Sequence, residues 1–253
     1  MKNIYRAGRF IFTIYAAITF GISFFIVIPC YFFIFNFYQA NRAPHLAHRL
    51  SRGWAWWIYK FFLVRVKVKN RELIDPDQTY VFVSNHLSFL DIPLYALSCK
   101  NTFRFLSKAE LAKIPVLGYI INNLYITVNR SDKADRSLSL KKMKQSLDEH
   151  ISVFLCPEGT RNQTAEPLLP FKDGAFRLAI ESGRPLAVLT VFNSKKLLDP
   201  ARWFSLSPGT IYASWDDVIE TKNLADPDPE KLKQRVTAIM LAAIKEYQEG
   251  KMT

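Results

Sequence analysis

Apolar residues follow three different patterns along the chain. From Phe10 to Tyr38, twenty-nine consecutive residues carry no charge: FIFTIYAAITFGISFFIVIPCYFFIFNFY. As one helix this run would extend about 43 Å, beyond the roughly 30 Å of a bilayer's hydrocarbon core. Pro29 is expected to interrupt it, with Gly21 as a second weak point. A secretory leader has an apolar stretch of only about 7–15 residues, so cleavage is not expected. From about 41 to 63 the pattern changes. Trp54, Trp56, Trp57, Tyr59, Phe61 and Phe62 interleave with Arg52, Lys60 and Arg65. This predicts an amphipathic helix with aromatic and basic residues of the kind that lies at a lipid–water interface.

The third pattern starts at Tyr80. Short apolar, β-rich runs at Tyr80–Ser84, Thr102–Leu106, Leu124–Val128, Ser152–Cys156, Leu186–Phe192 and Thr210–Ala213 alternate with helical patterns. The helices are expected at about Ile92–Ser98, Lys108–Asn122, Lys133–His150, Gly174–Glu181 and Pro229–Glu249. Such alternation predicts an α/β fold: a mainly parallel sheet flanked by helices, with an N-terminal membrane-associated helical arm. The arm is expected over residues 1–70 and the α/β domain over 71–253, closing on the amphipathic helix 229–249.

Composition changes this picture through where the charge sits. The 253 residues carry a formal net charge of +12, which points to nucleic acid, a membrane surface or a phosphorylated substrate. Residues 1–71 hold eleven Lys or Arg and no acid, whereas the stretch from Asp216 onward is net acidic. Nearly all of the excess therefore surrounds lipid-like sequence. No helix-turn-helix, zinc-finger or RNP pattern is present, so a nucleic-acid partner is not expected. Bases flank the apolar run on both sides, favouring a re-entrant or monotopic element with both ends at one anionic surface over a single span. The three cysteines lie far apart, and His45 and His48 have no acid or Cys beside them. Neither a disulfide framework nor a metal site is indicated.

The candidate chemistry sits at strand ends. Val81-Phe82-Val83-Ser84 runs into Asn85-His86-Leu87-Ser88-Phe89-Leu90-Asp91. On one continuous helix His86 and Asp91 would point in different directions. They meet only if His86 lies in the loop and Asp91 in the first helical turn, with Ser88 as a cap and Pro93 inside that turn. The carboxylate would then fix one imidazole nitrogen and leave the other as a general base. After the run Ser152–Cys156 comes Pro157-Glu158-Gly159-Thr160-Arg161, a polar turn able to present N–H groups and a guanidinium to an anion. Lys108 and Asn129-Arg130 add cations at two further strand ends, which suggests a phosphate subsite.

Together these motifs resemble the glycerolipid acyltransferase family typified by 1-acyl-glycerol-3-phosphate acyltransferase. The match covers about 80–191: NHxSxxD at Asn85, His86, Ser88 and Asp91; K-x-E-L-x-x-x-P-x-x-G from Lys108 through Pro115 to Gly118; PEGTR at 157–161; and FKxGAF at 171–176. Two positions depart from the family pattern. Asn129 precedes Arg130 where the family usually has Asp, and Leu189 stands at the place of a second proline in the last apolar motif. Both bear on the acceptor and not on the reaction class.

The resemblance implies transfer of a fatty acyl group from acyl-CoA or an acyl-carrier protein to a lysophospholipid hydroxyl, most readily 1-acyl-glycerol-3-phosphate to give phosphatidic acid. No cofactor or metal is implied. His86 and Asp91 would be catalytic. Lys108, Arg130 and Arg161 would hold the acceptor's phosphate and Glu158 its glycerol part, with Gly159 and Thr160 in the same binding turn. Backbone N–H groups of the Glu158-Gly159 turn would receive the oxyanion. The rival readings are the same chemistry on another lysolipid and a non-catalytic lipid-binding membrane protein. The expected place is the cytoplasmic face of a membrane.

Overall fold

The computed structural model describes residues 2–251, apart from 130, 203 and 225, with side chains from Arg6 onward. Seven strands form one sheet in the order β1-β7-β6-β2-β5-β3-β4. These are β1 Val64–Lys69, β2 Val81–Ser84, β3 Phe103–Lys108, β4 Ile126–Val128, β5 Ser152–Leu155, β6 Leu186–Val191 and β7 Gly209–Ile219. Five strands, β6-β2-β5-β3-β4, run parallel. β7 lies antiparallel to β6 and β1 parallel to β7, so these two strands at one side of the sheet run the other way.

The central strands are buried on both faces, as their unbroken apolar character requires. One face is covered by α2 (Ala43–Phe61) and α3 (Asp91–Ser98), whose Tyr59, Leu94 and Tyr95 pack on Phe82 and Phe154. The other face is covered by α5 (Lys133–Asp148), α6 (Gly174–Ser182) and α8 (Pro229–Gln248), where Met143, Leu147, Phe176, Val236 and Met240 meet Val81, Val83, Val153 and Leu155. The chain thus leaves β2 over one face and β5 over the other. Between two such neighbouring strands an open crevice forms at their C-terminal ends.

α1 (Lys2–Phe37) is one helix of 36 residues, and Pro29 does not break it. It is long and apolar enough to cross a membrane by length and composition, with only 11% of its most apolar window buried. It is fastened to the rest of the chain along its length. Arg9 donates to Ser207 Oγ at 3.3 Å, Trp54 of α2 to Ser23 Oγ at 3.0 Å, and Asn36 to the Tyr119 hydroxyl at 2.8 Å; Tyr31 pairs with Ser51 at 2.7 Å. The opposite face, carrying Ile11, Ile18, Ile22, Phe25, Ile26, Phe33 and Phe37, is exposed. Those contacts on α2 and the domain support the helix around the proline, where one backbone bond is missing.

Four further element expectations need correction. VRVKVK, expected within the arm, is a strand of the sheet and pairs with β7 from Val64↔Gly209 to Lys69↔Ser214. The helix expected over Lys108–Asn122 is two elements: a 3-10 turn at Ala109–Lys113 and α4 at Leu117–Leu124, split by Pro115 and by Val116 at φ 65°. Helix α4 also takes Leu124 from the expected strand, and β7 extends well past Ala213. Of the three thiols Cys99 is buried, Cys156 half-buried and Cys30 exposed.

Candidate active site

His86 lies in the loop after β2, and Asp91 is the first residue of α3. The loop is held from below by Asn85, whose side chain makes a two-pronged amide contact with Val191 at the end of β6. Its Nδ2 donates to Val191 O and its Oδ1 accepts from Val191 N–H, both at 2.8 Å. The Tyr95 hydroxyl donates to Asn85 O at 2.6 Å, and that of Tyr59 to Leu90 O. With both ends of the loop pinned, His86 Nδ1 lies 2.8 Å from Asp91 Oδ2.

The same Asp91 oxygen accepts the N–H groups of Leu87 at 2.6 Å and Ser88 at 2.7 Å. Asp91 is fully buried, so its charge depends on these donors and on the N-terminal end of α3. Three donors on one carboxylate oxygen make it the acceptor, which places the imidazole proton on Nδ1 and leaves Nε2 as the basic nitrogen. The His86 side chain is 16% exposed. Ser88 donates its hydroxyl to Leu198 O at 2.7 Å and accepts weakly from Leu90 N–H at 3.3 Å, so in place of the expected cap, a position held by Leu90, it ties the loop to the chain after β6.

The turn after β5 sits beside this loop, since β5 is the neighbour of β2. Glu158 is buried, and both carboxylate oxygens serve backbone donors: Oε1 accepts from His86 N–H at 2.7 Å and Oε2 from Leu169 N–H at 2.9 Å. Burial pushes its carboxyl above the usual range, and these two bonds pull it back in part. Through these bonds Glu158 braces the His86 loop. Gly159, at φ 74°, closes the turn by donating its N–H to Cys156 O at 2.9 Å, so one of the donors expected to face an oxyanion is already used. Asn162 N–H donates to His86 O at 2.7 Å and joins the turn to the His86 loop.

Arg161 reaches the same place. Its guanidinium lies over the Phe89 ring, 3.5 Å from the centroid, and feels the charge of Asp91. Its Nη1 is buried with no partner among the described residues. Thr160 is exposed in the turn, and Lys108 is exposed at the end of β3 on the same edge of the sheet. Arg130 lies outside the described residues. His45 and His48 play no part: His45 pairs with Thr102 at 2.8 Å, and His48 is buried edge-on against Phe103, its pKa pushed down to about 3 chiefly by burial. Phe89, Asn85 and Tyr59 are the residues that the motif reading left without a role. Phe89 is detectable only as a large apolar side chain inside a polar loop.

The arrangement can take a proton from a hydroxyl at Nε2 while an anion sits on Arg161. Comparison with known proteins agrees with that chemistry. The Acyltransferase family matches residues 65–191. A 1-acyl-sn-glycerol-3-phosphate acyltransferase of Helicobacter pylori is 30% identical over 191 residues, covering 73% of this chain and 76% of its own. A chloroplastic 1-acyl-sn-glycerol-3-phosphate acyltransferase of Brassica napus is 33% identical over 168 residues, 66% of this chain and 47% of its own; the match spans about half of that longer relative. In fold, the chain superposes on the crystal structure of a 1-acyl-sn-glycerophosphate acyltransferase from Thermotoga maritima with a TM-score of 0.82, at 22% identity and over 98% of both chains.

Proposed function

The chain belongs to the Acyltransferase family, and from that premise we propose that it is an O-acyltransferase that moves a fatty acyl group from a thioester to the free hydroxyl of 1-acyl-glycerol-3-phosphate, giving phosphatidic acid. The observation that carries the reading is the 2.8 Å contact between His86 Nδ1 and buried Asp91, which orients Nε2 as a base. A thioester is already activated, so no acyl-enzyme is required. His86 Nε2 takes the acceptor's hydroxyl proton as its oxygen bonds to the thioester carbonyl carbon. Asp91 stays ionised and balances the imidazolium. The tetrahedral intermediate collapses, the carbon–sulfur bond breaks, and the leaving thiolate takes the proton back from His86.

Arg161, with its unpartnered Nη1, would hold the acceptor's phosphate, assisted by Lys108 and Arg130. Gly159 and Thr160 shape the turn that presents Arg161. The donor is acyl-CoA or an acyl-carrier protein, both found on the cytoplasmic side. The exposed apolar face of α1 would lie in that leaflet. Because α1 is fastened to α2, α4 and the chain near Ser205–Ser207, a monotopic seat suits it better than a free span.

The test is an assay in lipid with a panel of lysolipids, offering acyl-CoA and acyl-carrier-protein donors to wild type and His86→Ala. Phosphatidic acid formed from lysophosphatidate, and lost in the variant, is the expected result. Unchanged turnover in His86→Ala would sink the general-base role, and preference for a phosphate-free acceptor would overturn the substrate assignment.

A further inference from the structure

On the far side of α3 from Asp91 lies a second concavity, a cleft of about 1120 Å³ between α2, β1 and the C-terminal end of α3. Arg52, Lys60, Arg65, Lys67, Arg71 and Lys100 line it, facing one carboxylate, Glu72. They come from four separate elements: α2, β1, the 3-10 turn at Arg71–Leu73 and the turn after α3. Among the described residues none of the six is ion-paired with an acid. A helix with one solvated basic face would spread such charges outward. Here Arg52, Lys60, Arg71 and Lys100 gather around an apolar floor of Val64, Ile74 and Leu97, while Lys67, on the opposite face of β1, reaches over the Tyr212 ring at 5.5 Å.

Two of the six are held in place. Arg52 Nη1 donates to Lys100 O at 3.1 Å, and Arg71 Nη1 to Leu97 O at 2.7 Å, satisfying carbonyls at the end of α3. Lys60 lies over the Trp56 ring at 5.2 Å. Convergent, unneutralised cations around an apolar floor suit a phosphate ester carried on an apolar body. The surroundings indicate where such a ligand comes from. Trp56 is on the cleft wall and 49% exposed, and Trp57 and Phe61 beside it are also exposed, an aromatic rim of the kind that sits among lipid headgroups.

We propose that this cleft binds the headgroup of an anionic membrane phospholipid, at a site separate from the acceptor's phosphate subsite. Neither Lys108 nor Arg161 lines it. Tyr59 forms the partition: it lines the cleft, and its hydroxyl donates to Leu90 O next to Asp91. The proposal goes beyond the acyl-transfer reading and does not depend on it.

The experiment measures binding of the full chain to phosphatidylcholine vesicles with and without phosphatidylglycerol. Wild type is compared with Lys60→Glu/Arg71→Glu/Lys100→Glu, with the milder Lys60→Gln/Lys100→Gln, and with the charge control Lys141→Glu/Lys142→Glu on exposed α5 positions. Thermal unfolding shows that each variant is folded. The expected result is a preference for anionic vesicles that falls about tenfold or more in the triple variant and less in the milder one. The control should change by about twofold or less. Turnover of detergent-dispersed substrate should persist in all of them, so that failure here and failure of the acyl-transfer reading are separable. Equal loss in the control would reduce the effect to bulk charge and overturn the proposal. Unchanged vesicle preference, with weakened binding of acyl-carrier protein or acyl-CoA, would assign the cleft to the soluble donor and overturn it too.

Discussion

The Arg161 guanidinium stacks on Phe89 at 3.5 Å, and Phe89 stands between His86 and Asp91 in the loop after β2. The loop that carries the base therefore also clamps the cation proposed to hold the acceptor. Phe89 is 60% exposed, so its ring forms no part of the core, and the contact that engages it is the one with Arg161. A cation over an aromatic face gains about 0.5–2 kcal/mol. Phe89→Leu should raise KM for lysophosphatidate about fivefold with a smaller change in kcat, and Phe89→Tyr should restore it. Steady-state kinetics on an acceptor lacking the phosphate, which should be indifferent to Phe89, checks the cause.

Removing the base or its partner should strike kcat. General-base catalysis contributes about 10²–10⁴-fold, so His86→Ala should lose activity in that range. Asp91→Asn should lose nearly as much, because an amide can donate to Nδ1 and so favours the wrong tautomer. Because one Asp91 oxygen takes all three donors, an amide nitrogen placed there would also face the Leu87 and Ser88 N–H groups, so the variant's unfolding temperature should fall as well.

Asp216 on β7 gives the fold a pH signature away from the site. Burial raises its pKa to about 6, against hydrogen bonds from Ser214 and Thr190 that lower it. A carboxyl raised in the native state binds protons there that the unfolded chain has already lost, so its contribution to stability falls as pH rises from about 4 to about 6. Asp216→Asn removes that slope. Relative to wild type the variant should gain on the order of 2 kcal/mol between those limits, read as the difference between the two thermal unfolding curves in detergent at each pH. A constant difference across the range would refute the assignment.

Gly118 is needed for space. A Cβ there would meet Ala112 O at 2.1 Å, where the 3-10 turn folds back on the start of α4. Gly118→Ala should cost about 1–3 kcal/mol through backbone displacement. The lost stability would be visible as a lower unfolding temperature, while Gly53→Ala, with nothing within 4 Å of its Cβ, should be neutral or mildly stabilising.

The parallel core and the His86–Asp91 geometry were readable because local pattern and local spacing encode them: buried runs such as Val81–Ser84, and a loop of four residues between base and carboxylate. The misses have long-range causes. Alternation in VRVKVK is a period-two signal, but its bases made it read as part of the arm, whereas only pairing with β7 makes it a strand. Pro29 survives in α1 because contacts from α2 and α4 support the helix around it. The bond from the N–H of His86 to Glu158 was invisible for the same reason, since the two lie seventy-two positions apart. Asn85 reaches Val191 across a still longer separation.

The reversed polarity of β1 and β7 decides which end of the sheet the N-terminal helices reach. Val64 pairs with Gly209 at the edge where β2 and β6 end, so α2 hands the chain to the sheet on the same side as His86. The start of α1 is fastened there as well, through Arg9 and Thr13 to Ser207 and Leu206. The open mouth of the apolar hairpin thus straddles the doorway to the reaction centre. In the proposed reading this would set the entrance beside the exposed apolar face of α1, so a single-chain lipid would slide sideways from the leaflet into reach of His86 and a two-chain product would leave by the same lateral route.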